Sequence, residues 1–368
     1  MNFKTYIFSF STLLLACLAS AQMGNPNRGS SAVEQEHLFP GTGFFVKNRK
    51  PYEENEAKLW FKEAYNYEMQ QKSSKAMKLY EKFSKRRSDA SIELDGKVFL
   101  VGPESLFRAA KIREEKGDWS KSFDHLKLIA RAYTSYNFEL VADSLMRVTE
   151  KFAKEKLPRK WGFIPRFKSG SQNRSRLNEI ANLARGPKFA PRALMALAEI
   201  SIKDEKHEEA IDALDRLINL YPENYHCEKA YFLLATIYRD LSSGISYDQS
   251  KTMKSLNYFE DYLILFQELP SQGKHESKTD FDTRRENYSE RRQLAENGRV
   301  QMRERLASSK FELGNFTEKY GKYYLTNWRT LGNKPSLQFY NEAITIAPES
   351  DAARKAEVKI SELEIEDN

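Results

Sequence analysis

His226 and Cys227 set an imidazole beside a thiol, two of the ligand types from which zinc sites are built. A metal would need further ligands at matched spacing, and no other Cys or His supplies them. Cys227 therefore reads as a core cysteine at the start of a helix, and no metal ligand is assigned. A Gly-rich phosphate loop, a G-x-S-x-G elbow and an H-E-x-x-H helix are all missing from the sequence. Carboxylates are plentiful but fall on solvated helix faces. No catalytic residue and no cofactor is assigned, and the chain reads as non-enzymatic.

One further cysteine suggests chemistry of another kind. Lys4 precedes an apolar run over 6–18, shorter than the roughly 20 residues a membrane-spanning helix needs. Ala19-Ser20-Ala21 then offers small residues to a signal peptidase, which makes 1–21 a signal peptide. Overlapping it, Leu14-Leu15-Ala16-Cys17 has the form of a bacterial lipobox, with the leader ending at Ala16 and Cys17 as the candidate lipidation site. Both routes export the chain. With Cys17 lipidated or removed, Cys227 has no partner for an internal disulfide.

The net charge of +7 over 368 residues permits contact with anionic lipid or an acidic partner. Nucleic acid is not expected, because the basic residues are not gathered on one face.

The elements that must carry any function are helical hairpins. In 191–222, Leu194, Leu197 and Ala198 recur at helical spacing, a charged break falls at 203–206, and Ala210, Leu214 and Leu217 resume the period before Tyr221-Pro222 ends it. Ala198 and Ala210, twelve residues apart, let two antiparallel helices approach closely. That is the pattern of a tetratricopeptide (TPR) repeat, which needs stacked neighbours to bury its faces. Residues 54–84 repeat it through Trp60, Ala64, Tyr67, Ala76, Tyr80 and Phe83, and 104–135 through Leu106, Ala110, Ser122, Leu126 and Ile129, with 84–103 as a connection. A third unit is split: helices over 138–156 and 176–184 flank an insertion at 157–173. A fifth follows from Glu228, its turn lengthened over 242–249, and the polar stretch 271–293 reads as an exposed loop running into a charged helix start before the last unit. That unit has a helix over 291–313, another through Tyr320, Tyr323, Tyr324 and Trp328, a third bearing Leu337, Tyr340 and Ala343, and a capping helix over 350–364 with Ala353, Ala356, Val358, Ile360 and Leu363 as its apolar stripe. The expected fold is an all-α TPR-type helical-hairpin solenoid of about six repeat units. It divides into a flexible tether at 22–50, N-terminal repeats at 51–190 and C-terminal repeats with a cap at 191–368.

Two surfaces follow from this register. Phe61, Phe107, Met195 and Phe232 occupy positions that face the concave side of a TPR stack, as a groove for a peptide segment or as packing against adjacent helices. The insertion mixes Arg166 and other cations with Trp161, Phe163 and Phe167. It suits contact with a membrane or a partner, or a loop folded back on the helices.

From residue 191 onward the order of features resembles the BamD family, TPR lipoproteins of the bacterial outer-membrane β-barrel assembly machine. The resemblance rests on EEAIDALDRLINLYPEN, on the long interrupted turn after Tyr238, and on KYGKYY at 319–324. It implies a non-catalytic scaffold on the periplasmic side of the outer membrane. Its C-terminal repeats would meet a barrel protein of BamA type, with Tyr320, Tyr323, Tyr324 and Tyr340 as contacts, and a lipid anchor would hold it at the membrane surface. A periplasmic TPR adaptor for other envelope or cell-wall machinery is the alternative.

Overall fold

The computed structural model describes residues 50–154, 170–242 and 249–366. The expected leader with Cys17, the expected tether up to residue 49, and Trp161, Phe163, Arg166 and Phe167 of the expected insertion lie outside the described residues. The fold is all-α and of the TPR-type helical-hairpin class, with one small β-hairpin among the described residues. Its residues form two compact units that divide after Asn137.

In the first unit, α1 (Glu54–Met69) packs on α2 (Ser73–Tyr80), which runs on as a 3-10 turn (Glu81–Ser84). Ala64 and Ala76 are both fully buried, the close approach their spacing foretold. Tyr80 Oη donates to Glu68 Oε2 across the hairpin at 2.7 Å. The connection expected over 84–103 contains a β-hairpin instead, β1 (Ser91–Leu94) with β2 (Lys97–Leu100). Its turn is Asp95-Gly96, with φ of 52° and 70°, the left-handed pair that Asp-Gly adopts at least cost. Phe99 of β2 is held against the rings of Phe61 and Tyr65, at 5.8 and 6.0 Å between centroids. Helices α3 (Val101–Glu115) and α4 (Trp119–Ala132) form the next hairpin, with Asp118 capping α4 by accepting from Lys121 N.

The second unit holds α5 (Phe138–Lys154), α6 (Gly170–Leu183), α7 (Ala190–Lys203), α8 (His207–Leu220), α9 (His226–Leu241) and α10 (Gln249–Leu265). The second helix of the split unit thus starts at 170, six residues before the expected 176, so that 170–173 of the insertion are its first turn. In α7 and α8, Ala198, Ala210, Leu214 and Leu217 are fully buried, and Glu205 takes the left-handed conformation (φ 57°) that turns the chain between them.

After α10 comes α11 (Lys278–Tyr324), a single helix of 47 residues. The loop expected to run into a charged helix start within 271–293 does so at Ser277, whereas the break expected between 313 and 320 is absent. Ser277 caps the start by accepting from Asp280 N, and buried ion pairs hold the polar first turns. Arg284 makes two bonds to Glu276 (2.8 and 2.9 Å), and Arg291 makes two to Glu228 of α9 (2.9 and 2.8 Å). Hydrophobic periodicity is blind to a helix anchored by ion pairs. Gly314 lies inside the helix, where its missing side chain makes room for the Tyr340 ring. The chain closes with α12 (Trp328–Leu331), α13 (Lys334–Ile346) and α14 (Asp351–Glu366), α13 and α14 both packing on α11.

Candidate functional site

The residues expected to line a concave groove are packed between helices. Phe61 and Phe107 in the first unit, and Met195 in the second, are all buried. Phe232 is half-buried, its ring 5.8 Å from Tyr262 and 6.5 Å from Phe259. Their apolar area is taken up by the hairpins themselves, so they offer little free surface to a ligand. His226 and Cys227 begin α9. Burial lowers the His226 imidazole to about 4 and raises the Cys227 thiol to about 11, and the thiol donates to Tyr221 O at 3.1 Å. Among the described residues, no group of three His, Cys, Asp or Glu side chains is placed to hold a metal ion.

Two surfaces at the C-terminal end of the second unit are open. The first is the last turns of α11. Phe316, Tyr320, Tyr323 and Tyr324 are 42%, 40%, 76% and 51% exposed, at the helical spacing i, i+4, i+7, i+8. The Phe316 ring lies 5.1 Å from Tyr320 and 5.8 Å from Tyr324, so three rings form one ridge. Lys319 and Lys322 sit over the Tyr320 and Tyr323 rings, at 5.1 and 5.0 Å. Beneath the ridge Gly321 admits the Trp328 ring, which a side chain there would displace. That contact folds α12 back on α11.

Tyr340 does not belong to this surface. It is fully buried, donates to Glu318 Oε2 at 2.5 Å and lies 2.9 Å from Asn315 Oδ1. Burial, then the bond to Glu318, raises its phenol well above the ordinary range. The ring that packs on Gly314 is a structural pin, and its aromatic type alone could not separate it from the exposed tyrosines.

The second surface is a groove of about 520 Å³ between α11 and α14, lined by Phe311, Asp351, Arg354, Lys355, Val358 and Lys359. Val358, expected in the buried stripe of the capping helix, is instead 58% exposed. The stripe that packs is Ala353, Ala356, Ile360 and Leu363, at spacings of three and four, and Val358 falls off it. That spacing was the signal available for finding the groove.

No helix among the described residues is long and apolar enough to cross a membrane. A family model described as tetratricopeptide repeat matches residues 192–224, the α7–α8 hairpin and the turn after it. A stretch of 81 residues is 37% identical to the outer membrane protein assembly factor BamD of Rickettsia prowazekii (strain Madrid E). It covers 22% of this chain and 32% of that protein, so the chain spans about a third of the curated relative it matches. The chain is thus an all-α protein of TPR-type hairpins, similar over part of its length to an assembly factor of the outer membrane.

Proposed function

We propose that this chain is a non-catalytic scaffold in the assembly of outer-membrane β-barrel proteins, exported and working on the periplasmic side of the bacterial outer membrane. The observation that carries this reading is the α7–α8 hairpin, matched as a TPR repeat and packed among further hairpins, in a chain whose one stretch of 81 residues resembles BamD. TPR hairpins present helix faces and inter-helix grooves to other proteins rather than reacting groups. The groove over Phe311 and Val358, rimmed by Arg354, Lys355 and Lys359, is the surface we assign to a segment of a barrel-assembly protein of BamA type. Its apolar floor supplies the burial, and its polar rim, where Arg354 pairs with Asp351 and Lys359 with Glu318, supplies the orientation.

The test is recovery of the tagged chain from its own membranes in mild detergent, with bound proteins identified by mass spectrometry. A β-barrel protein with periplasmic repeat domains should accompany the wild type and be lost from Val358→Asp, an exposed position where the change leaves the fold intact. Recovery of soluble or cell-wall proteins alone would overturn the assembly reading and leave the adaptor role.

A further inference from the structure

The ridge at the end of α11 has a charge pattern that the groove reading does not use. Over 319–334 the chain carries Lys319, Lys322, Arg329 and Lys334 and no carboxylate. Among the described residues none of the four is in an ion pair. The adjacent acid, Glu318, is engaged by Tyr340 and by Lys359 at 3.3 Å. A helix C-terminus favours cations through its dipole, which accounts in part for Lys319 and Lys322. It accounts neither for Arg329 and Lys334, which lie beyond the helix, nor for three exposed tyrosines and a phenylalanine beside them.

Two kinds of partner attract cations and aromatic rings together. Protein interfaces are enriched in Arg and depleted in Lys. This stretch has three lysines to one arginine. Tyr and Trp flanked by Lys and Arg are the mark of a membrane interface, where the ring sits at headgroup level, the hydroxyl stays wet and the long cationic stems reach phosphate. We propose that this end of the second unit, exposing Phe316, Tyr320, Tyr323 and Tyr324 with Lys319, Lys322, Arg329 and Lys334, seats on an anionic phospholipid surface. The inference rests on the reading that the chain works at a membrane, but it needs no barrel protein. It would give the second unit a contact with lipid separate from any anchor at the N-terminus. The protein contact expected for Tyr320, Tyr323 and Tyr324 becomes the opposing outcome.

The purified chain is sedimented with vesicles of phosphatidylcholine alone and of phosphatidylcholine with phosphatidylglycerol. Two double variants are compared with it, Lys322→Glu/Arg329→Glu and Tyr323→Ser/Tyr324→Ser. All four positions are exposed, so circular dichroism and melting should match the wild type. Binding should appear with the anionic vesicles only and weaken with added salt. At roughly fivefold per cation, the charge-reversed pair should bind at least about 25-fold less well, and the serine pair should also bind less well. Equal binding to both vesicle types, no binding to either, or binding that survives both double variants would overturn the proposal. Loss of a barrel protein from the serine variant, with vesicle binding unchanged, would assign the ridge to protein. Absence of a barrel protein from the wild-type pull-down would overturn the assembly role while leaving the vesicle result standing.

Discussion

Removing the carboxylate of Glu228 should loosen the middle of the second unit. Glu228 sits in the first turn of α9 and its side chain is fully buried. It accepts from Arg291 Nε and Nη2 of α11 at 2.9 and 2.8 Å, and from Tyr262 Oη of α10 at 2.7 Å. One side chain therefore ties three helices together. In Glu228→Ala the Arg291 guanidinium, whose side chain is 12% exposed, keeps its charge and loses its counter-ion. Breaking one side of a buried pair costs roughly 3–5 kcal/mol. The Tyr262 hydroxyl loses its acceptor in the same step, so the upper half of that range is expected, about 4 kcal/mol. At roughly 2–4 °C per kcal/mol for a unit of this size, the melting midpoint should fall by about 8–16 °C. Because the two units need not unfold together, urea unfolding should be followed by hydrogen exchange in α9, α10 and α11 as well as by circular dichroism. The double change Glu228→Leu/Arg291→Met removes both charges and should be near neutral, or stabilising by up to about 4 kcal/mol. A loss below about 1 kcal/mol for Glu228→Ala, or a double variant as damaged as the single one, would refute the reasoning.

Three further outcomes are expected. Ala198→Phe should overpack the α7–α8 hairpin and cost roughly 1–3 kcal/mol; an unchanged urea midpoint would contradict the repeat register. Gly314→Ala offers a better helix former by about 1 kcal/mol, yet its methyl would meet the Tyr340 ring, so a net loss of about 1–2 kcal/mol is expected in thermal unfolding. His226 is held neutral by burial, and its folded value of about 4 lies below the unfolded one near 6.5. The unfolded chain therefore binds the proton first, so this contribution to stability is full above about pH 6.5 and is lost as pH falls toward 4. The loss, on the order of 1–3 kcal/mol, should flatten in His226→Phe when stability is measured across that window.

The hairpins were legible because their helices bury one face. Where Ala recurs with aromatic rings at spacings of three and four in α1–α2, and with Leu in α7–α8, the sequence carries the packing directly. The β-hairpin carried an equally plain signal, Asp95-Gly96 between Ser-Ile-Glu-Leu and Lys-Val-Phe-Leu, but two four-residue strands are too short for periodicity to register. The length of α11 was hidden for another reason. Its first turns are fixed by Arg284–Glu276 and Arg291–Glu228, the second pair made across 63 positions, between residues that individually look solvated. At the candidate sites the aromatic type of Tyr320, Tyr323, Tyr324 and Tyr340 was visible. Which of them face outward depended on where α13 crosses Gly314, a tertiary fact. Phe61, Phe107 and Met195 show the converse, since a register that points at a groove does not say whether a neighbouring helix already fills it.

The most direct test of the scaffold role is a photo-crosslinking amino acid placed at position 358 of the chain in its own cells. Irradiation is followed by identification of the adduct. The account predicts a covalent product with a β-barrel assembly protein, through its periplasmic domains. Adducts confined to soluble or cell-wall proteins, with the same crosslinker active at an exposed control position, would contradict it.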